Sequence, residues 1–186
     1  MSLEVVILAA GKGKRMNSQL PKVLHKVANK PMLFHVIETA FQLSPSAIHI
    51  VVGHKSELIE EALKDLPCDI SRIVQVSHQK ELLGTGHAVA SALPKINEES
   101  DVLVLYGDNP LTPLDDIQRL TALLEDNPLC VLSAYARDPF GYGRIVRNEE
   151  GFLKEIVEEK DASEQIRKIK EINSGIMVTT AKVLRK

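Results

Sequence analysis

Apolar and polar positions along the chain follow two rhythms. Val5–Ala9, Ile48–Val52, Ile73–Val76 and Val102–Tyr106 are short runs rich in β-branched residues. The first, second and fourth are apolar at nearly every position, which predicts strands buried on both faces, as in a parallel sheet. Between them, Pro31–Leu43, Ser56–Leu66, Gly86–Leu93 and Pro113–Glu125 predict helices. Leu33, Val36, Ile37 and Ala40 share one helical face. Pro31 and Pro113 suit a first turn, where no backbone N–H is needed. Repeated strand–helix units imply right-handed crossovers and an α/β fold with a doubly wound, mostly parallel, Rossmann-like sheet.

After about Leu129 the rhythm changes. Leu129–Ala136, Gly143–Val146, Phe152–Val157 and Ile176–Thr179 read as strands with little helix between them. Asn148–Gly151 reads as a hairpin turn ending in glycine. This small, β-rich C-terminal part is expected to extend the sheet or cover one mouth of it rather than form a separate domain. Lys154–Glu171 is densely charged, as a solvated flap or helix face would be.

Composition narrows the class. With 186 residues, 44% of them apolar, the chain has the size of one domain and can bury an ordinary core. Its 23 basic and 25 acidic side chains nearly cancel, leaving no electrostatic footprint for nucleic acid or a membrane surface. Cys68 and Cys130 are far apart and frame neither a zinc site nor a disulfide; the expectation is two small buried residues in a reduced compartment. The longest apolar runs are too short to cross a bilayer, and the start lacks the basic segment of a secretory signal. A cytoplasmic protein is expected.

The first predicted strand runs into Leu8-Ala9-Ala10-Gly11-Lys12-Gly13-Lys14-Arg15-Met16. Open α/β sheets bind ligands beyond the carboxyl ends of their strands. Small residues there let the backbone approach a ligand, and successive N–H groups can form an anion nest. Residues 1–30 hold six basic side chains against one acidic one, Glu4, in a chain that is acidic overall. A triphosphate would account for both the glycines and the cations, although the glycines alone also fit a surface turn with solvated lysines. The spacing is not that of a Walker A loop. Nor is it a dinucleotide fingerprint, because Met16 stands where a third Gly or Ala is needed and Pro21 keeps Leu20 from a helix.

This loop, followed by Leu20-Pro21-Lys22-Val23-Leu24, resembles the signature of sugar-1-phosphate nucleotidyltransferases. Gly84-Thr85-Gly86-His87-Ala88, Tyr106-Gly107-Asp108, Gly141-Tyr142-Gly143-Arg144-Ile145 and Glu171-Ile172-Asn173-Ser174-Gly175 follow in that family's order. Together, over nearly the whole chain, they resemble the uridylyltransferase domain of bacterial bifunctional N-acetylglucosamine-1-phosphate uridylyltransferase/glucosamine-1-phosphate acetyltransferases. The resemblance implies a fold of the nucleotide-diphospho-sugar transferase type. It also implies UTP and N-acetylglucosamine 1-phosphate as substrates, Mg2+ as cofactor, and UDP-N-acetylglucosamine for cell-wall precursors as product. Residues 1–186 would then form a single, incomplete nucleotidyltransferase domain, ending before a later metal-contacting Asn and before the β-helix acetyltransferase domain. A homo-oligomer is left open.

Site residues follow from the same match. The backbone of Leu8, Ala9, Ala10, Gly11 and Gly13 would contact the nucleotide. Arg15 would neutralise the departing β- and γ-phosphates, since a planar guanidinium can hold two oxygens at once. Lys22 would act at the α-phosphate or the attacking phosphate. Asp108, behind Tyr106 and Gly107 at the end of a buried strand, would hold Mg2+, for which one carboxylate plus phosphate oxygens can suffice. Gln79, Gly84 and Thr85 would read uracil; Gly143, Glu158 and Asn173 would bind the sugar. His25, His54, His78 and His87 lack ligand spacing and read as ordinary histidines. Leu82 stands where the family usually has Gln, and Asn109 where it has an apolar residue. A related transferase using another base or sugar, or a non-catalytic nucleotide-sugar binding module, remains the alternative.

Overall fold

The computed structural model describes residues 2–11, 13, 16 and 18–186. In chain order the elements begin with β1 (Leu3–Leu8), β2 (Lys26–Val27), β3 (Lys30–Pro31), α1 (Met32–Phe41) and β4 (Ala47–Val52). Next come α2 (Ser56–Leu63), α3 (Cys68–Ser71), β5 (Val74–His78), α4 (Thr85–Ala92), β6 (Asp101–Tyr106) and α5 (Leu114–Ala122). The chain finishes with β7 (Leu129–Tyr135), β8 (Arg144–Arg147), β9 (Leu153–Val157), α6 (Glu164–Arg167), β10 (Glu171–Thr180) and α7 (Ala181–Leu184). Two compact units result, Met1–Cys130 with Met177–Lys186, and Val131–Ile176.

In the first unit the strand order is β5-β4-β1-β6, all parallel, with the Met177–Thr180 end of β10 antiparallel on β6. This is the doubly wound α/β architecture that the strand–helix rhythm implies. Every residue of β4 is buried, as are Glu4–Leu8 of β1. Side chains alternate across a strand, so Val6 and Leu8 face one way. They pack with Val51, Val104 and with Ala88, Val89 and Ala92 of α4. Val5 and Ile7 face the other way, toward the layer that holds Leu33, Val36 and Ile37 of α1. Burying a Leu, Ile or Val side chain contributes about 1.5–3 kcal/mol, so these two layers supply most of the driving force.

Two polar residues interrupt the buried runs and satisfy each other. Glu4 Oε2 lies 2.6 Å from His49 Nε2, and Glu4 Oε1 accepts from Ser100 Oγ (2.8 Å) and from the Asn97 N–H (3.0 Å). His49 and Ser100 are fully buried. Burial pushes the Glu4 carboxyl up, but the hydrogen bonds from His49, Asn97 and Ser100 outweigh it and hold the group below its ordinary value.

In the second unit β8 and β9 form an antiparallel hairpin, Ile172 of β10 pairs with Arg144 of β8, and β7 pairs with β10. The turn at Asn148–Gly151 closes with Asn148 N donating to Phe152 O (2.9 Å) and Gly151 at φ 86°.

Some boundaries differ from the sequence expectation for physical reasons. β10 starts at Glu171, not Ile176, because in the strand Arg147 neutralises Glu171 and Ser133 Oγ donates a hydrogen bond to it at 2.6 Å. The charged stretch before it is neither one flap nor one helix face, but the end of β9, a single turn of α6 and this strand. α4 opens at Thr85, one residue before the expected Gly86, with Gly84 capping it at φ 109°. The cysteines are not both buried: Cys68 follows Pro67 at the exposed start of α3, and Cys130 is half-buried.

Candidate active site

Parallel strands bring their C-terminal ends to one edge of a sheet. From β1 the chain crosses to β4 on one side, while β6 lies on the other, so a crevice opens between β1 and β6. A cavity of about 560 Å3 occupies it. Leu8, Ala9, Ala10, Gly11 and Gly13 line it from the loop after β1, and Tyr106 and Asp108 from the end of β6. Lys22, Gln79, Gly84 and Thr85 complete the set of expected residues that meet there. Val23, Leu82 and Ala88 also line it. Arg15, with Lys12 and Lys14, lies outside the described residues.

Local sequence explains the placement. Pro21 precedes a single 3-10 turn, Lys22–Leu24, whose Val23 and Leu24 are buried, and this anchors Lys22. Gly13, at φ 54°, passes so close that a Cβ would sit 3.1 Å from Lys22 Cβ. Gly107 does not line the cavity but lets the turn after β6 lie down. A Cβ there would meet Leu33 Cδ1 at 3.1 Å, Val23 Cγ1 at 3.2 Å and Leu8 O at 3.3 Å. The result is that Lys22 Nζ and Asp108 Oδ2 stand 2.5 Å apart, bridging two loops separated by 86 positions. An ion pair this open to water contributes no more than about 1 kcal/mol, so ligands can part it at little cost.

Gln79, expected to read the base, is only 5% exposed. Its backbone N–H donates to Val52 O (2.8 Å), while Nε2 contacts Gly84 O and His87 Nδ1, both at 3.1 Å. Gly53 does not line the cavity, and nothing in the sequence marks it. Yet a Cβ there would sit 3.0 Å from both Ala10 Cβ and Ala10 O and 3.1 Å from Leu82 Cδ2. No sequence spacing marks the contact of His87 with Gln79.

The expected sugar residues belong to the second unit and meet within it. Asn173 N donates to Gly143 O (2.8 Å), and a Cβ on Gly143 would sit 3.3 Å from Glu158 Oε1. The neighbouring Glu159 is committed elsewhere, to Arg144 Nη2 (2.7 Å), the Gly141 N–H (3.1 Å) and Arg167 (3.4 Å). The Arg144 hydrogen bond holds the Glu159 carboxyl below its ordinary value. Glu158 is left exposed.

No group of three His, Cys, Asp or Glu side chains that could hold a metal occurs among the described residues. A lone carboxylate in a cavity with a cationic partner fits Mg2+ that arrives on phosphate oxygens, for which one or two protein carboxylates are usual. It does not fit a metal caged by protein alone. Among the described residues, no helix is long and apolar enough to cross a membrane.

Residues 5–169 match the family model of the MobA-like NTP transferase domain. The chain belongs to this family. Among curated relatives of this NTP transferase, the bifunctional protein GlmU of Pseudomonas paraeruginosa is 52% identical over 184 residues, 99% of the chain and 39% of the relative. GlmU of Legionella pneumophila is 49% identical over 191 residues, 100% of the chain and 40% of the relative. The chain thus spans about two fifths of the length of these relatives, in keeping with the uridylyltransferase domain that its motifs resemble. Among solved structures, UDP-glucose pyrophosphorylase complexed with UDP-glucose superimposes with TM-score 0.82 at 18% identity, covering 100% of the chain and 78% of its own; this likeness shows the fold. HddC from Yersinia pseudotuberculosis complexed with GMP-PN gives TM-score 0.72 at 25% identity, over 98% of the chain and 79% of its own. An NTP transferase is the class that the family match supports.

Proposed function

We propose that this NTP transferase moves UMP from UTP to N-acetylglucosamine 1-phosphate, giving UDP-N-acetylglucosamine for cell-wall precursors, and pyrophosphate, in the cytoplasm. The observation that carries the reading is the Lys22–Asp108 pair facing a glycine-lined cavity at the β1/β6 crevice. Identity near 50% to GlmU proteins supports the choice of substrates.

The reaction joins two anions, so charge repulsion and alignment dominate its barrier, and no protein nucleophile is needed. A sugar-phosphate oxygen attacks the α-phosphorus of UTP in line with the departing pyrophosphate; one P–O bond forms as the other breaks. Mg2+ held by Asp108 and phosphate oxygens would neutralise charge on the triphosphate. Lys22, released from Asp108, would sit against the α-phosphate or the attacking phosphate as a point charge. The Ala9–Gly11 backbone would lie along the nucleotide, where side chains larger than methyl would stand in its way. Arg15 is assigned to the leaving phosphates by its motif. Gln79, Gly84 and Thr85 would hold uracil, and Gly143, Glu158 and Asn173 the sugar.

Pyrophosphate release across a matrix of nucleoside triphosphates and sugar 1-phosphates tests the reading. Release should be fastest for UTP with N-acetylglucosamine 1-phosphate and should require Mg2+. Binding of UDP-N-acetylglucosamine without turnover at saturating Mg2+ would instead make the protein a binding module. Lys22→Ala should lower the transfer rate by about 10²–10³-fold, the usual effect of deleting one preorganised charge stabiliser. Affinity for uridine should change less than about twofold, since uracil is read elsewhere. Equal losses in both measurements would contradict the role given to Lys22.

A further inference from the structure

The base side of the cavity contains a contact that the proposed chemistry leaves unused. Gln79 Nε2 carries two hydrogens and has two partners, Gly84 O and His87 Nδ1. Gly84 O can only accept, so the amide nitrogen, not the amide oxygen, must occupy that position. The second hydrogen then falls on His87 Nδ1, which must accept it. That requirement assigns the ring proton of His87 to Nε2. Oε1 is left as the unused capacity of the Gln79 side chain, and no donor among the described residues bonds to it. Gln79 is also the single amide side chain among the described residues lining the cavity, because Leu82 offers no polar atom where the resemblance expects one.

We propose that His87 is a positioning residue that, with Gly84 O, locks the Gln79 amide with its oxygen toward the base, so that the site selects pyrimidines bearing an N3–H. The inference rests on the uridylyl-transfer reading and names how its base is chosen. Uracil and thymine present N3–H as a donor to Oε1. Cytosine presents a lone pair at N3, which would face the lone pairs of Oε1 and be rejected. Without His87 the second N–H loses its partner and a single bond holds the amide. A half-turn then offers the NH2 group to the base and erodes the discrimination. Thymine and uracil should bind alike at this contact.

Calorimetric titration of the whole chain with UTP and with CTP tests this, on the wild type, His87→Leu and His87→Asn. Leucine fills the space without an acceptor, whereas Asn Oδ1 occupies nearly the position of Nδ1. The wild type should prefer UTP. His87→Leu should shrink the UTP:CTP affinity ratio by about five- to tenfold, the effect of about one net hydrogen bond, and His87→Asn should restore most of it. A merely structural role would weaken both nucleotides together and leave the ratio intact. Should His87→Leu fail to fold, nitrogen-15 shifts of the wild-type ring decide: a proton on Nδ1 overturns the proposal, one on Nε2 supports it. A ratio unchanged in His87→Leu, or His87→Asn behaving as His87→Leu, overturns the positioning role alone. Failure of the wild type to bind either nucleotide overturns the uridylyl-transfer reading, and this inference with it.

Discussion

Asp108→Asn should lower nucleotidyl transfer by about 10²–10³-fold, comparable to removing one preorganised electrostatic group from an active site. The substitution keeps the shape of the side chain and removes only its charge. Asn can accept one hydrogen bond from Lys22 Nζ but can no longer compensate its charge or hold a divalent cation firmly. The fold should be nearly untouched, because the pair lost is partly exposed and contributes at most about 1 kcal/mol. Pyrophosphate release measured against Mg2+ concentration, beside a thermal melt, separates the two effects. Unchanged turnover would mean that the metal is held elsewhere.

Glu4→Ala should do the reverse, removing stability with no direct effect on chemistry. The carboxylate accepts from Asn97 N and Ser100 Oγ and contacts His49 Nε2. Deleting it strands these groups in a dry interior, at a cost of about 3–5 kcal/mol. The effect should depend on pH. The folded state holds the Glu4 carboxyl below its ordinary value of 4.5, so its stabilisation is complete above that value and fades as pH falls through the lower folded value. Urea denaturation should therefore show a wide gap between wild type and variant near pH 7 and a progressively narrower one as pH falls well below 4.5. A gap under about 1 kcal/mol near pH 7, or one indifferent to acid, would show that the cluster is not holding the strands together.

The same cluster explains why so much of the sheet was legible. Glu4 and His49 sit inside apolar runs, and because each satisfies the other, neither breaks the strand that the surrounding residues dictate. Strands whose polar groups find partners from afar were harder to read. Glu171 looks like the end of a charged flap until Arg147 and Ser133 are seen beside it. The one-turn helices α3 and α6 are too short to leave a 3.6-residue pattern. In the site, the loop after β1 and Asp108 announce themselves by position at strand ends. Gly53 and His87 do not: one matters because Ala10 and Leu82 press against it, the other because it meets an amide across a turn. Neither relation exists in the linear chain.

The crossover order of the first unit has a consequence for how the molecule comes into being. Every wall of the crevice hangs from a different parallel strand, and such pairings close large loops before they return any stabilisation, which makes them slow. Lys22 cannot meet Asp108 until β6 has docked beside β1. Nucleotide can therefore trap the finished state by mass action, but it has nothing to grip on the way there.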